Sequence, residues 1–149
     1  MAGIKSKDTK PELQIRSALH RRGYRYTLHN KKLFGKPDLC LKKYKVAIFI
    51  NGCFWHAHND CHLFRLPKSK VEFWEQKLTK NKLRDKENIE SLGNDGWRIL
   101  LLWECALKGK QRLDFESLIE TASKWIESDS TWLEIRGNTK ANQDIHYRE

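Results

Sequence analysis

Three observations predict an α/β fold with a mixed central sheet flanked by helices. Two β-rich runs, Val46-Ala47-Ile48-Phe49-Ile50 and Trp97-Arg98-Ile99-Leu100-Leu101-Leu102-Trp103, are apolar enough to be strands buried on both faces. Helical periodicity precedes, separates and follows them. A loop dense in cysteine and histidine, Asn51 to Cys61, lies directly behind the first run. The order helix, hairpin, metal-ligand loop, long helix, strand, helix asks for one layered domain. We place that single domain at 1–128 and a polar C-terminal tail, poorly ordered, at 129–149.

The first helix opens at Asp8-Thr9-Lys10-Pro11-Glu12, where Thr9 can cap and Pro11 is tolerated in the first turn. Ile15, Ala18 and Leu19 form its apolar stripe, and Gly23 ends it. Tyr24 to Leu28 is short and extended. Gly35-Lys36-Pro37-Asp38 is a turn into Leu39-Cys40-Leu41, which pairs with Val46–Ile50 as a hairpin. Ser69 with Glu72 has the capping-box spacing and opens a long helix reaching about Leu92. Its stripe is Val71, Trp74, Leu78, Ile89 and Leu92, and Asn81, Lys82 and Asp85 fall on the same face. A carboxylate there must be paired, metal-linked or at the mouth of a cleft, because bare burial is costly. Gly93-Asn94-Asp95-Gly96 turns into the second buried strand, which ends at Glu104-Cys105. Phe115, Leu118, Ile119, Ala122, Trp125 and Ile126 share one face of a last helix.

The net charge of +10 points to a polyanion, since Lys and Arg gain free energy by releasing counterions from nucleic acid. No stretch approaches the roughly 20 apolar residues of a membrane span. The first residues lack the apolar core of a signal peptide. Four cysteines without a secretion signal belong to a reducing compartment, so the expected location is cytosolic and metal binding outranks disulfides.

Cys53, Cys61 and Cys105 plus one histidine complete the donor set that structural zinc prefers. Buried free thiols are the plainer account, but Cys53, His56, His58 and Cys61 beside Phe54 and Trp55 in one short loop argue against it. Pro37-Asp38 lies at the mouth of a strand, where metal-dependent nucleases present acids to Mg²⁺, which needs few carboxylates besides water and phosphate. The second acid such a hairpin usually carries is missing, for the partner strand reads Phe49-Ile50-Asn51. On spacing alone Pro37-Asp38 is weak evidence, and a turn-forming Asp is the more ordinary account.

Gly-Lys-Pro-Asp, Ile-Phe-Ile-Asn-Gly-Cys-Phe-Trp-His, Glu-Phe-Trp, Arg-Asp and Trp-Glu-Cys-Ala-Leu occur in that order from about Ile4 to Gly109. Together they resemble the very short patch repair (Vsr) endonuclease family; Gly-Cys-Phe-Trp-His with the distant Trp-Glu-Cys is the specific part. The resemblance implies a restriction-endonuclease-like fold with a structural Zn²⁺. It implies that Asp38 and the backbone carbonyl of Ile50 hold catalytic Mg²⁺, which accounts for the missing second acid. Glu12 and Asp85 would hydrogen-bond metal-bound waters and His56 would be the general base. Asn51 joins this group where well-studied members carry a second active-site histidine. Zinc would take Cys53, His58, Cys61 and Cys105, with His62 as a competitor to His58. Phe54, Trp55 and Trp74 would form an aromatic wedge entering the base stack. Glu12 could equally be a helix cap, and Trp74 could be core.

The loop between His58 and Cys61 is one residue longer than in some relatives. Set beside that family, the chain is also expected to lack the N-terminal arm that relatives lay in the minor groove, since it starts at about the family's second turn of sequence. The implied activity is Mg²⁺-dependent nicking of one strand of duplex DNA at a T·G mismatch left by deamination of 5-methylcytosine. The protein would act as a monomer, with other repair proteins as possible partners. Two alternatives stand beside it. One is a Vsr-like nuclease of a restriction or phage-defence system that needs no mismatch. The other is a zinc-stapled DNA-binding module whose catalysis has decayed.

Overall fold

A computed structural model describes residues 9–138 of the chain. Its elements are α1 (Lys10–Arg21), β1 (Thr27–Leu28), β2 (Leu39–Leu41), β3 (Val46–Asn51), α2 (Val71–Asn94), β4 (Arg98–Trp103), α3 (Phe115–Ile126) and β5 (Trp132–Ile135). The five strands lie in chain order in one sheet. β1, β2 and β3 are antiparallel neighbours, whereas β3–β4 and β4–β5 are parallel, so the sheet is mixed. Each parallel step needs a crossover, and α2 and α3 supply the two.

Side-chain alternation along the strands decides which layer covers which face. Ile48, Leu100, Leu102, Leu133 and Ile135 share one core with Ile15 and Leu19 of α1 and Leu118, Ile119 and Ile126 of α3. The alternate residues face the other way: Ala47 and Ile99 pack with Leu92 of α2. Leu101 and Trp103 pack with Cys53 and Cys105. The sheet is therefore a central layer, with α1 and α3 on one side and α2 with the cysteine loop on the other. That explains why β4 reads as continuously apolar. Among the described residues no helix is long and apolar enough to cross a membrane.

The α1 start is as expected, with the Thr9 hydroxyl accepting from the Glu12 N–H at 3.4 Å. Two sequence expectations need correction. The Ser69–Glu72 capping box does not open α2; Lys70, in the left-handed region at φ 54°, is the cap residue and offers no side-chain hydrogen bond. Ser69 thereby lies one residue outside the helix. The α2 stripe is also narrower than its spacing suggests, since only Leu78 and Leu92 are buried and Val71 is exposed.

The larger correction is at the C-terminal end. The chain does not turn into a tail at Ser128, because Trp132–Ile135 adds the fifth strand beside β4. Its signal is faint because only Leu133 and Ile135 of four residues are buried. Trp132 and Ile135 favour a strand, but four residues are a short pattern, and pairing with β4 decides it. Arg98 secures the approach, donating to the carbonyls of Trp125 and Ser130 at 2.8 Å and of Ile126 at 3.0 Å. Of the proposed tail, 139–149 lies outside the described residues.

Candidate metal centre and active site

The loop after β3 and the turn after β4 are brought together by parallel pairing of Asn51 with Trp103. That register places Cys53 near Cys105. Cys53, His58, Cys61 and Cys105 present donor atoms that all lie within 4.8 Å of one another. His58 aims Nδ1 at the cluster, 3.5 Å from both the Cys53 and Cys105 sulfurs. A tetrahedral ion with Zn–N and Zn–S bonds of about 2.0 and 2.3 Å spaces neighbouring N and S donors by roughly 3.5 Å. The group therefore fits a metal of that kind.

Hydrogen bonding with Cys53 pulls the Cys105 thiol down against the opposing effect of burial, and His58 and the Gly137 N–H lower it further. The same bond and burial push Cys53 up. Cys105 is thus the sulfur already disposed to carry negative charge. The loop is fixed from outside by Glu104, whose carboxylate accepts from the Cys53 N–H at 3.0 Å and pairs with Lys108 at 2.8 Å.

On the opposite flank of β3, Asp38 stands at the mouth of β2. Its Oδ2 accepts from the Ile50 N–H at 2.7 Å. Burial raises its carboxyl from 3.8 to about 7, opposed by that hydrogen bond and reinforced by the charge of Glu12. Glu12 is 2% exposed, in the first turn of α1, and faces this site. Arg16 approaches its Oε2 at 2.6 Å and His29 Nε2 approaches it at 2.9 Å. Glu12, His29 and Asp38 form a second group whose donor atoms lie within 4.8 Å of one another.

His56 leaves the cysteine loop in the other direction, and its Nδ1 is 2.5 Å from Asp85 Oδ2 on α2. Asp85 is therefore paired, and with its side chain 31% exposed it stands at the mouth of the cleft and not in the core. Phe54, Trp55 and Trp74 meet, with ring centroids 5.2 to 6.0 Å apart. Trp74 joins this aromatic group and none of the three core clusters among the described residues.

One open cleft of about 1120 Å³ collects Glu12, Asp38, Ile50, Asn51, Phe54, Trp55, His56 and Asp85 on its walls, with Lys36, Arg65, Lys108 and Arg112 around them. Asn51 is 8% exposed at the end of β3. Every residue singled out for chemistry from the sequence thus lies at the cleft or in the adjoining metal group, apart from Trp74, which touches Phe54 and Trp55 from α2. His62 is drawn elsewhere, with its Nδ1 3.0 Å from Gln111 Oε1.

Sequence reasoning missed His29 and Arg16 beside Glu12, and Phe64 and Phe73 beside the wedge. It also missed Trp103, whose ring stacks on His58. None of these carries a local signal in the sequence; His29 comes opposite Asp38 only once the β1–β2 register is continued beyond Leu28 and Leu39.

Comparison with known proteins fits this geometry. Residues 1–63 match the family model "DNA mismatch endonuclease Vsr". The chain is 39% identical to the DNA mismatch endonuclease Vsr of Escherichia coli (strain K12), over 92% of this chain and 88% of that protein. It is 46% identical to the type II nicking enzyme V.NmeAIP of Neisseria meningitidis serogroup A, over 74% of this chain and 78% of that one. Identity to the type II nicking enzyme V.XorIIP of Xanthomonas oryzae pv. oryzae is 41%, over 72% and 78% respectively.

Proposed function

The chain belongs to the DNA mismatch endonuclease Vsr family, and we propose that it nicks one strand of duplex DNA at a T·G mismatch with Mg²⁺ as catalytic ion. It is a DNA endonuclease by that membership, and the mismatch and the ion are our reading. The observation that carries it is the meeting, in one cleft, of Asp38 and Glu12 with a His56–Asp85 pair.

Asp38 and the Ile50 carbonyl would hold Mg²⁺. In an extended strand a residue's N–H and C=O leave on the same side. Because the Ile50 N–H meets Asp38, the Ile50 carbonyl would open to the same side as that carboxylate. Glu12 and Asp85 would orient water on the ion. Bound there, the ion would neutralise charge developing on the scissile phosphate.

His56 would take the proton of the attacking water. Asp85 fixes the ring through Nδ1 and so leaves Nε2 for the cleft; it also stabilises the imidazolium that forms. The water oxygen bonds to phosphorus as the opposite P–O bond breaks. Asn51 would lie alongside as a neutral hydrogen-bonding group.

Phe54, Trp55 and Trp74 would enter the stack at the lesion, where unstacking costs least. Lys36, Arg65, Lys108 and Arg112 would neutralise backbone phosphates. A structural Zn²⁺ on Cys53, His58, Cys61 and Cys105 would keep His56 and the wedge on one stiff loop. Such a layered arrangement suits a restriction-endonuclease-like fold, working as a monomer in the bacterial cytosol or nucleoid. Asp38→Ala tests the assignment: cleavage is expected to vanish while duplex binding stays. Retained nicking by a clean preparation would remove Asp38 from the site.

A further inference from the structure

His29 is tied to Asp38 twice. Its main-chain N–H donates to the Asp38 carbonyl at 3.0 Å, extending the β1–β2 ladder by one residue. Its ring then turns towards the acids, with Nε2 2.9 Å from Glu12 Oε2 and 3.9 Å from Asp38 Oδ1. An ionised carboxylate can only accept, so Nε2 carries a hydrogen in this arrangement.

Glu12 and Asp38 come from elements far apart in sequence, the first turn of α1 and the mouth of β2. Two acids whose oxygens lie within 4.8 Å repel each other unless something stands between them. Arg16 holds Glu12 from within α1, and the Arg16 carbonyl accepts from Tyr26 Oη at 3.0 Å. Of these groups, the His29 imidazole is the one that lies against both acids, bonded to Glu12 and 3.9 Å from Asp38 Oδ1.

We infer that His29 is a positioning residue of the divalent-metal site: its Nε2–H donates to Glu12 at 2.9 Å while the ring lies 3.9 Å from Asp38, so that it sets how the two carboxylates face each other. The inference rests on the reading of Asp38 as a metal ligand. The imidazole acts as a donor behind the oxygens and leaves the inner positions to hard oxygen ligands, which suits an ion such as Mg²⁺ or Mn²⁺.

The test uses full-length protein with its cysteine site loaded, without DNA, and Mn²⁺ as the probe, its free fraction read by electron paramagnetic resonance. His29→Gln keeps an amide N–H of similar reach, whereas His29→Leu keeps bulk and removes the donor. His29→Leu is expected to weaken Mn²⁺ binding about 10- to 100-fold, the usual loss for an outer partner of a metal ligand, with His29→Gln close to wild type. Near-UV circular dichroism and bound zinc, unchanged in all three, establish folding. If His29→Leu fails that control, His29→Asn replaces it, since its shorter amide falls short of Glu12. The nicking rate against Mg²⁺ concentration should shift in parallel, with the saturated rate largely retained.

Unchanged Mn²⁺ affinity in His29→Leu would overturn the inference. So would an equal loss in His29→Gln, which would make the imidazole nitrogen itself a ligand. Wild type that binds no Mn²⁺ would overturn both this inference and the assignment of Asp38. Mn²⁺ binding by the wild type with the dependence on His29 described, without any nicking of DNA, would support the inference and sink the catalytic reading of the cleft alone.

Discussion

The imidazole of His58 lies flat on the indole of Trp103, with ring centroids 3.7 Å apart and planes 4° from parallel. The Trp103 N–H in turn donates to Glu134 on β5 at 2.7 Å. Other C-terminal groups reach the same centre: the Gly137 N–H donates to Cys105 Sγ at 3.2 Å, and Arg136 donates to the Asp60 carbonyl at 2.8 Å. The segment 132–138 thus closes the metal group from outside, orienting His58 and stabilising charge on Cys105.

Gly137→Ala tests that closure. A Cβ at this position would meet the Cys105 carbonyl oxygen at 2.5 Å and the Gln111 carbonyl oxygen at 2.8 Å, both main-chain atoms. Overpacking of this kind costs about 1–3 kcal/mol. The variant should melt at lower temperature and lose zinc to a chelator faster than wild type. An unchanged melting temperature and chelation rate would show that the segment does not bear on the centre.

The His56–Asp85 contact makes a separable prediction. Asp85→Asn leaves shape and size intact but removes the charge facing Nδ1. If Asp85 fixes the ring of a general base, nicking should fall by about 10²-fold or more, with duplex affinity unchanged. Single-turnover nicking beside a binding titration separates the two quantities. A loss confined to binding would move Asp85 out of the chemistry.

Asp38 sets a pH dependence whose sign follows from its shift. In the metal-free fold the carboxyl is raised to about 7, whereas the unfolded chain has it near 3.8. The native state therefore holds the proton more tightly. The stability contributed by this group is complete below about 4 and is lost as pH rises through 7. Binding a divalent ion displaces the same proton, so the Mg²⁺ concentration needed for half-maximal nicking should rise about tenfold for each pH unit below 7. Chemical denaturation of the metal-free protein and Mg²⁺ titrations across pH 5 to 8 check both halves. A flat Mg²⁺ requirement over that range would count against Asp38 as the ligand.

Much of this was legible because it is local. The hairpin, β4 and the apolar faces of α1 and α3 follow from periodicity, and Cys53, His58 and Cys61 share one short loop. What stayed hidden depends on the sheet. His29 meets Asp38 only through a register that β1, two residues long, scarcely announces. Trp103 reads as a strand residue and becomes the support of His58 only when β3 and β4 pair. β5 escaped because its four residues alternate within a polar stretch and draw their stability from β4. Asp85 stands out in the sequence as a carboxylate on an apolar stripe; the stripe is mostly not buried there, and Asp85 lies at the cleft mouth paired with His56.

The central claim is tested most directly by strand nicking on two short duplexes of one sequence, one with a T·G mismatch and one fully paired, each with Mg²⁺ and with EDTA. The account predicts a nick in one strand of the mismatched duplex, only with Mg²⁺. Equal cutting of both duplexes would contradict the mismatch requirement, and cutting in EDTA would contradict the metal role given to Asp38. Binding without any cut would contradict the catalytic reading of the cleft as a whole.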